Sequence, residues 1–207
     1  MKYKWVALSV TTVGVLMVGI DTRIVIVGLP QVAAQLQADA EQAIWITQSY
    51  VLANTVLLLL IGRLGDIFGR VRIYTVGFGI FTIGSALTSI GIDPLQVIVF
   101  RAVQGVGAAL VFANSIAILT DATPKNELGF SLGINQIAFR SGAILGLTLS
   151  SLSCLSWIGG HCSTLIFQLG CLEHFGREGG LRNLWRWNEM SRLIGSASGY
   201  SLLPCFV

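Results

Sequence analysis

Polar residues interrupt this chain at only a few places, and the intervals between them are long and apolar. Five stretches stand out: about Val6–Leu29, Trp45–Ile61, Ile73–Ile92, Leu95–Leu119 and Leu128–Leu149. Each is near the roughly 20 residues that cross a bilayer's hydrocarbon as a helix. The breaks carry residues that stop helices: Pro30 after the first run, Gly62 after the second, Asp93-Pro94 after the third and Thr123-Pro124 after the fourth. The third and fourth runs meet in a very short turn and are expected to be antiparallel neighbours. The pattern predicts an all-α, polytopic membrane bundle over residues 1–150.

Composition points the same way. The chain is 54% hydrophobic and 11% charged, with a mean hydropathy of +0.76, more apolar than a soluble domain of this length requires. A net charge of +3 is too small to suggest a nucleic-acid partner, so the lipid bilayer is the expected one. The first apolar run ends without a small-residue cleavage site, which argues against a cleaved signal peptide. Lys2 and Lys4 precede the first run, and Arg63, Arg70 and Arg72 follow the second, whereas residues 31–44 hold Asp39 and Glu41 but no Lys or Arg. Basic residues favour the cytoplasmic side, so the N-terminus and the 62–72 connection are expected there, in a plasma or inner membrane. The connection at Lys125 is indecisive, because Asp121 and Glu127 flank it.

Residues 62–72, GRLGDIFGRVR, hold more than an orientation signal. Gly62, Gly65 and Gly69 allow two helix ends and their connection to pack closely. Asp66 is suited to accept backbone N–H groups at a neighbouring helix start, or to pair with Arg70. This stretch resembles the loop between helices two and three of the major facilitator superfamily, roughly G-x-L-x-D-r-x-G-r-[RK]. Three further stretches carry the same resemblance. Gly19-Ile-Asp21-Thr22-Arg23-Ile-Val-Ile-Val-Gly-Leu29-Pro30 is similar to the first-helix signature of fourteen-helix drug:proton antiporters, the EmrB/QacA-like group. Arg101-Ala-Val-Gln104-Gly105-Val-Gly107-Ala-Ala is similar to the superfamily's fourth-helix motif. In the fifth run, Gly133, Gly142 and Gly146 keep the antiporter spacing, but Leu147 replaces the usual proline, and Ser150-Ser151 stand where two glycines are usual.

The resemblance implies the first five helices of a six-helix transporter half. It implies proton-coupled export of small, drug-like molecules by alternating access between two halves. The intact transporter's partners would be a small-molecule substrate and protons, with no cofactor and no metal. On this resemblance the sixth helix and the second half are expected to be lacking here, and the chain's own transport is expected to be absent. No G-x-x-x-x-G-K-[ST] phosphate loop occurs, which disfavours ATP-driven transport. Residues 1–150 contain no Cys or His, which leaves an intramembrane enzyme without an obvious nucleophile or metal site. Other readings are a transporter of one specific metabolite, or a non-transporting membrane fragment that binds a partner.

Two intramembrane charges carry the candidate chemistry. Ionisable groups inside a span are costly and usually face a cavity or a partner. Asp21 is the expected proton carrier, alternating between protonated and ionised forms; a structural hydrogen-bonding role at the helix end is the alternative. Arg101, Gln104, Gly105 and Ala108 follow i, i+3, i+4, i+7 and share one helix face. The resemblance gives Arg101 a part in proton coupling, with Asp21 as a plausible partner; snorkelling to the surface is the alternative. Gln104, Gly105, Gly107, Gly133, Gly142 and Gly146 are expected to pack helices closely. Arg23 is expected to snorkel outward, and Arg140 has no assigned role.

From residue 151 to 207 the character changes. Cys154, Cys162, Cys171, Cys205, His161 and His174 all lie in this segment. Cys171-x-x-His174 and His161-Cys162 could be read as zinc ligands, but no second regular pair completes a four-ligand pattern. The segment shows no clear period and no run of about 20 apolar residues. A reading-frame slip near Ser150 is the expected origin. The codon for Trp157 followed by that of Ile158 forces an aspartate in the shifted frame. Codon choice around it permits I-L-S-L-L, then D-W-R-A-V-F-Y-x-N-I-P-I-G, similar to the end of the family's helix five and the start of its helix six. The segment is therefore expected to lack a stable fold.

Overall fold

A computed structural model of the chain describes residues 2–155, and these form five long helices. They are α1 (Lys2–Gln35), α2 (Ala40–Phe68), α3 (Arg70–Ile90), α4 (Pro94–Ala122) and α5 (Leu128–Leu155), with a single 3-10 turn over Lys125–Glu127 before α5. Among the described residues no strand occurs. Three helices are long and apolar enough to cross a membrane by length and composition: α1 from Lys4, α3 and α4. α2 and α5 have 29 and 28 residues, enough to span roughly 30 Å of hydrocarbon at about 1.5 Å per residue.

The helices outrun the apolar runs at nearly every end, and three expectations change. Pro30 does not end the first helix but sits inside α1. Proline removes one N–H and leaves one carbonyl of the preceding turn without its helical donor. α1 instead runs to Gln35. Just beyond it, Gln37 takes a left-handed φ of 48°, and the Ala38 N–H returns to the Ala33 carbonyl at 2.9 Å. The 62–72 stretch is not a loop. α2 runs through Phe68 and α3 begins at Arg70, so Gly69 alone separates them. Its φ of 93° is a conformation that residues with a Cβ rarely adopt. α5 continues to Leu155, past the boundary expected at Ser150. The cysteine and histidine positions of the tail lie outside the described residues, apart from Cys154, which lies in the last turn of α5.

α4 is the hub, packing extensively on α2 and α3 and also on α1, while α5 lies mainly along α1. Glycines set these distances. A Cβ on Gly105 would lie 2.5 Å from the Tyr50 carbonyl of α2, and one on Gly84 of α3 would lie 2.9 Å from the Gln104 backbone. Gly107 sits against the Phe81 backbone of α3. Along the α1–α5 seam, Gly142 meets Leu16, while Cβ atoms on Gly146 and Gly19 would lie 2.6 Å and 2.5 Å from the carbonyls of Ile20 and Phe139. Gly133, expected in the same packing series, instead faces open space. It lies away from the stripe Ser131, Asn135, Ala138, Gly142 and Gly146 that α5 turns inward.

The burial pattern suits lipid. Leu52, Val76, Ile83, Val99 and Ile137 are exposed, whereas Asp21, Arg101, Gln104, Asn114, Ser115 and Asn135 are buried. An exterior of large apolar side chains has no dehydration cost in hydrocarbon, so packing and interior polar contacts hold such bundles together.

Candidate functional site

One end of the bundle gathers the start of α1, the α2–α3 junction and the α4–α5 connection. Arg70, the first residue of α3, donates from Nη1 to Asp121 Oδ1 at 2.7 Å and to the Ala117 carbonyl at 3.1 Å. Asp121 lies in the last turn of α4, so the guanidinium sits at the negative end of that helix's dipole. The sequence pattern offered Asp66 as the partner of Arg70 and marked Asp121 only as a loop charge. The side chains of Arg63, Leu64 and Asp66 lie outside the described ones. Gly65 is buried where a Cβ would lie 2.7 Å from Asn114 Oδ1 of α4. Lys4 pairs with Glu127, tying the start of α1 to the 3-10 turn.

The second site lies past the middle of α1. Asp21 and Arg101, eighty residues apart in sequence, form a buried ion pair with side chains only 3% and 5% exposed. Arg101 Nη1 donates to Asp21 Oδ2 at 2.9 Å and to Gln104 Oε1 at 2.8 Å, and Gln104 Nε2 donates to Asp21 Oδ1 at 2.9 Å. The three side chains close a triangle. Arginine only donates, the carboxylate only accepts, and the amide does both, so every edge is a proper hydrogen bond. The spacing of Arg101 and Gln104 by three residues puts both on the face of α4 that meets α1. Burial also removes surface snorkelling as the explanation for Arg101.

A residue that the sequence pattern did not single out completes the site. Tyr50 of α2 is 5% exposed, and the Arg101 guanidinium lies 5.7 Å from its ring centroid. Gly105, one residue beyond Gln104, admits the α2 backbone that carries Tyr50. The polar cluster Thr47-Gln48-Ser49-Tyr50 inside an apolar run was the available signal. Asn135 and Ser115 were also missed. Asn135 Nδ2 donates to Ser115 Oγ at 3.2 Å and Thr123 Oγ1 to Ser131 Oγ at 3.4 Å, linking α4 to α5. Arg23 and Arg140 are exposed and stand apart from the triangle. Among the described residues, no three His, Cys, Asp or Glu side chains converge on a metal-binding point.

Comparison with known proteins gives a consistent result. The family model described as Major Facilitator Superfamily matches residues 11–172. The chain is 35% identical over 176 residues to the riboflavin transporter RibZ of Clostridioides difficile, covering 85% of this chain and 35% of that protein. It is 34% identical over 130 residues to the tetracenomycin C resistance and export protein of Streptomyces glaucescens, covering 63% and 24% respectively. It is 32% identical over 146 residues to multidrug resistance protein 3 of Bacillus subtilis, covering 70% and 28%. The chain thus spans about a third or less of the length of these relatives.

Proposed function

The chain belongs to the major facilitator superfamily, and from that premise we propose that its five described helices are the opening part of a proton-coupled exporter of small, drug-like molecules. The observation that carries this reading is the buried triangle of Asp21, Arg101 and Gln104 inside a bundle with an apolar exterior. Asp21 is the proton carrier. When it is ionised, Arg101 and Gln104 hold it between α1 and α4. When it takes a proton, the charge attraction to Arg101 is lost, and the protonated carboxyl oxygen becomes a donor facing the donor it had accepted from. The two protonation states therefore favour different α1–α4 arrangements, which is what coupling to alternating access requires. Arg70 and Asp121 tie the basic end of the bundle, taken here as cytoplasmic because Lys2, Lys4, Arg63, Arg70 and Arg72 collect there.

We read residues 151–207 as a tail produced by a frame slip near Ser150, supported by its concentration of Cys, His and Trp and by the forced aspartate of the shifted frame. The family match extends over residues 11–172, beyond Ser150. The nucleotide sequence across codons 145–175 tests the slip: an unbroken frame leading into a sixth helix without any shift removes it.

The functional test joins the first five helices of this chain to the remainder of multidrug resistance protein 3 of Bacillus subtilis. Drug accumulation in everted vesicles is then followed under an imposed pH gradient. Gradient-driven transport by this chimera, lost in Asp21→Asn at equal membrane abundance, is the expected result. Full gradient-driven transport by Asp21→Asn removes Asp21 from the mechanism. A second reading, transport of one specific metabolite, draws on the 35% identity to a riboflavin transporter. Riboflavin movement by the chimera without drug movement would select it.

A further inference from the structure

The proton-coupling reading assigns work to Asp21, Arg101 and Gln104, and leaves Tyr50 without a role. Tyr50 is nonetheless buried against the centre of the site. Its ring carries the Arg101 guanidinium at 5.7 Å, within the range where a desolvated cation–π contact contributes energetically. Two further observations define what it supplies. Among the described residues, the buried Tyr50 hydroxyl lies near the Thr22 hydroxyl of α1, which itself donates to the Val18 carbonyl, without meeting hydrogen-bond geometry to a partner, and Arg101 Nε has no partner either. Both of the guanidinium's side-chain hydrogen bonds leave from one nitrogen, Nη1, at 2.9 Å and 2.8 Å. These bonds hold the Nη1 corner of the planar guanidinium and leave Nε, among the described residues, without a hydrogen bond. The Tyr50 ring lies beside the guanidinium and is in place to hold it against turning about its Nε–Cζ bond.

We propose that Tyr50 is a positioning residue whose aromatic ring, not its hydroxyl, holds the Arg101 guanidinium in the orientation that reaches Asp21 and Gln104 together. The proposal deepens the coupling reading by naming what keeps the arginine in register. The packing makes Tyr50 hard to displace. The Tyr50 carbonyl lies at the closest approach of α2 to α4, and a Cβ on Gly105 would be 2.5 Å from it. The α2 backbone that carries the ring is thereby held close against the helix that carries Arg101. Phenylalanine keeps the ring face and removes only the hydroxyl. Leucine keeps apolar bulk and removes the π face. The two substitutions therefore separate the cation–π contact from simple packing.

The test uses the full chain in lipid nanodiscs with arginine side chains labelled with nitrogen-15, observed by solid-state NMR. A guanidinium locked on its partners shows two distinct Nη resonances, and one rotating about its Nε–Cζ bond shows a single averaged resonance. Arg101→Lys identifies the Arg101 signals by their disappearance. The unsubstituted chain and Tyr50→Phe are expected to show two Nη resonances for Arg101, and Tyr50→Leu one, with Arg70 signals unchanged in all three. Two resonances retained in Tyr50→Leu overturn the proposal, because packing alone then suffices. Averaging in Tyr50→Phe also overturns it, because the hydroxyl is then the group that matters. Averaging in the unsubstituted chain overturns it as well. None of these outcomes depends on transport, so failure here is distinguishable from failure of Asp21→Asn to uncouple the chimera.

Discussion

Arg101→Ala and Gln104→Ala delete the same number of hydrogen bonds from the triangle, yet they are expected to cost very different amounts. Either substitution removes two of the three edges, because each residue makes two of the bonds at 2.8–2.9 Å. Side-chain hydrogen bonds inside membrane bundles contribute about 0.6 kcal/mol each on average and at most about 1.7. Gln104→Ala leaves the ion pair and is therefore expected to cost about 1–2 kcal/mol from these bonds. Arg101→Ala leaves the Asp21 carboxylate, 3% exposed, with Gln104 as its remaining donor. Breaking a buried pair from one side costs about 3–5 kcal/mol, because the surviving charge cannot reach water. Asp21→Asn belongs with Arg101→Ala. An amide in place of the carboxylate puts an NH2 donor where one oxygen had accepted from Arg101 or Gln104, and the Arg101 charge loses its counter-ion. The assay is reversible unfolding of the full chain in mixed micelles or bicelles, followed by helical circular dichroism and intrinsic fluorescence. If Arg101→Ala destabilises no more than Gln104→Ala, the charge is not desolvated and the ion-pair reasoning fails.

Two other outcomes are expected. A cysteine at position 68 is labelled by an impermeant thiol reagent only from the cytoplasmic side and one at position 38 only from outside, in a background without the native cysteines; reversed labelling inverts the topology. The glycine positions divide sharply. Gly105→Ala forces α2 away from α4 and costs about 1–3 kcal/mol, as overpacking does. Gly133→Ala meets nothing within 4 Å and is neutral or stabilising by up to about 1 kcal/mol, as expected where alanine replaces glycine in a helix. Equal effects at the two positions in the same unfolding assay would refute the packing account.

Among the described residues, the order of the five helices and the short α3–α4 turn follow the apolar runs of the sequence, because each helix in lipid must satisfy its own backbone and so needs a continuous apolar run. The family resemblance was legible for the same local reason: its motifs are contiguous. Helix ends were not. Hydropathy reports where lipid begins, whereas backbone hydrogen bonding carries α1 through Pro30 and α2 through Phe68 into the polar zone. The charge pattern marked Asp21 and Arg101 as out of place in hydrocarbon, and the i, i+3 spacing put Gln104 beside Arg101. That all three meet at bonding distance depended on how closely α1 and α4 approach, a distance set by side-chain packing between helices with no shared sequence neighbourhood. The roles of Tyr50, Asp121 and Asn135 were not legible for that reason. A tyrosine in an apolar run, an aspartate near a loop and an asparagine in a helix acquire their roles only from what a second helix presents across the interface. Gly133 and Gly142 show the same division within one helix. Their identity is the same, and only the rotation of α5 about its axis, fixed by its contact with α1, decides which of them packs and which faces away.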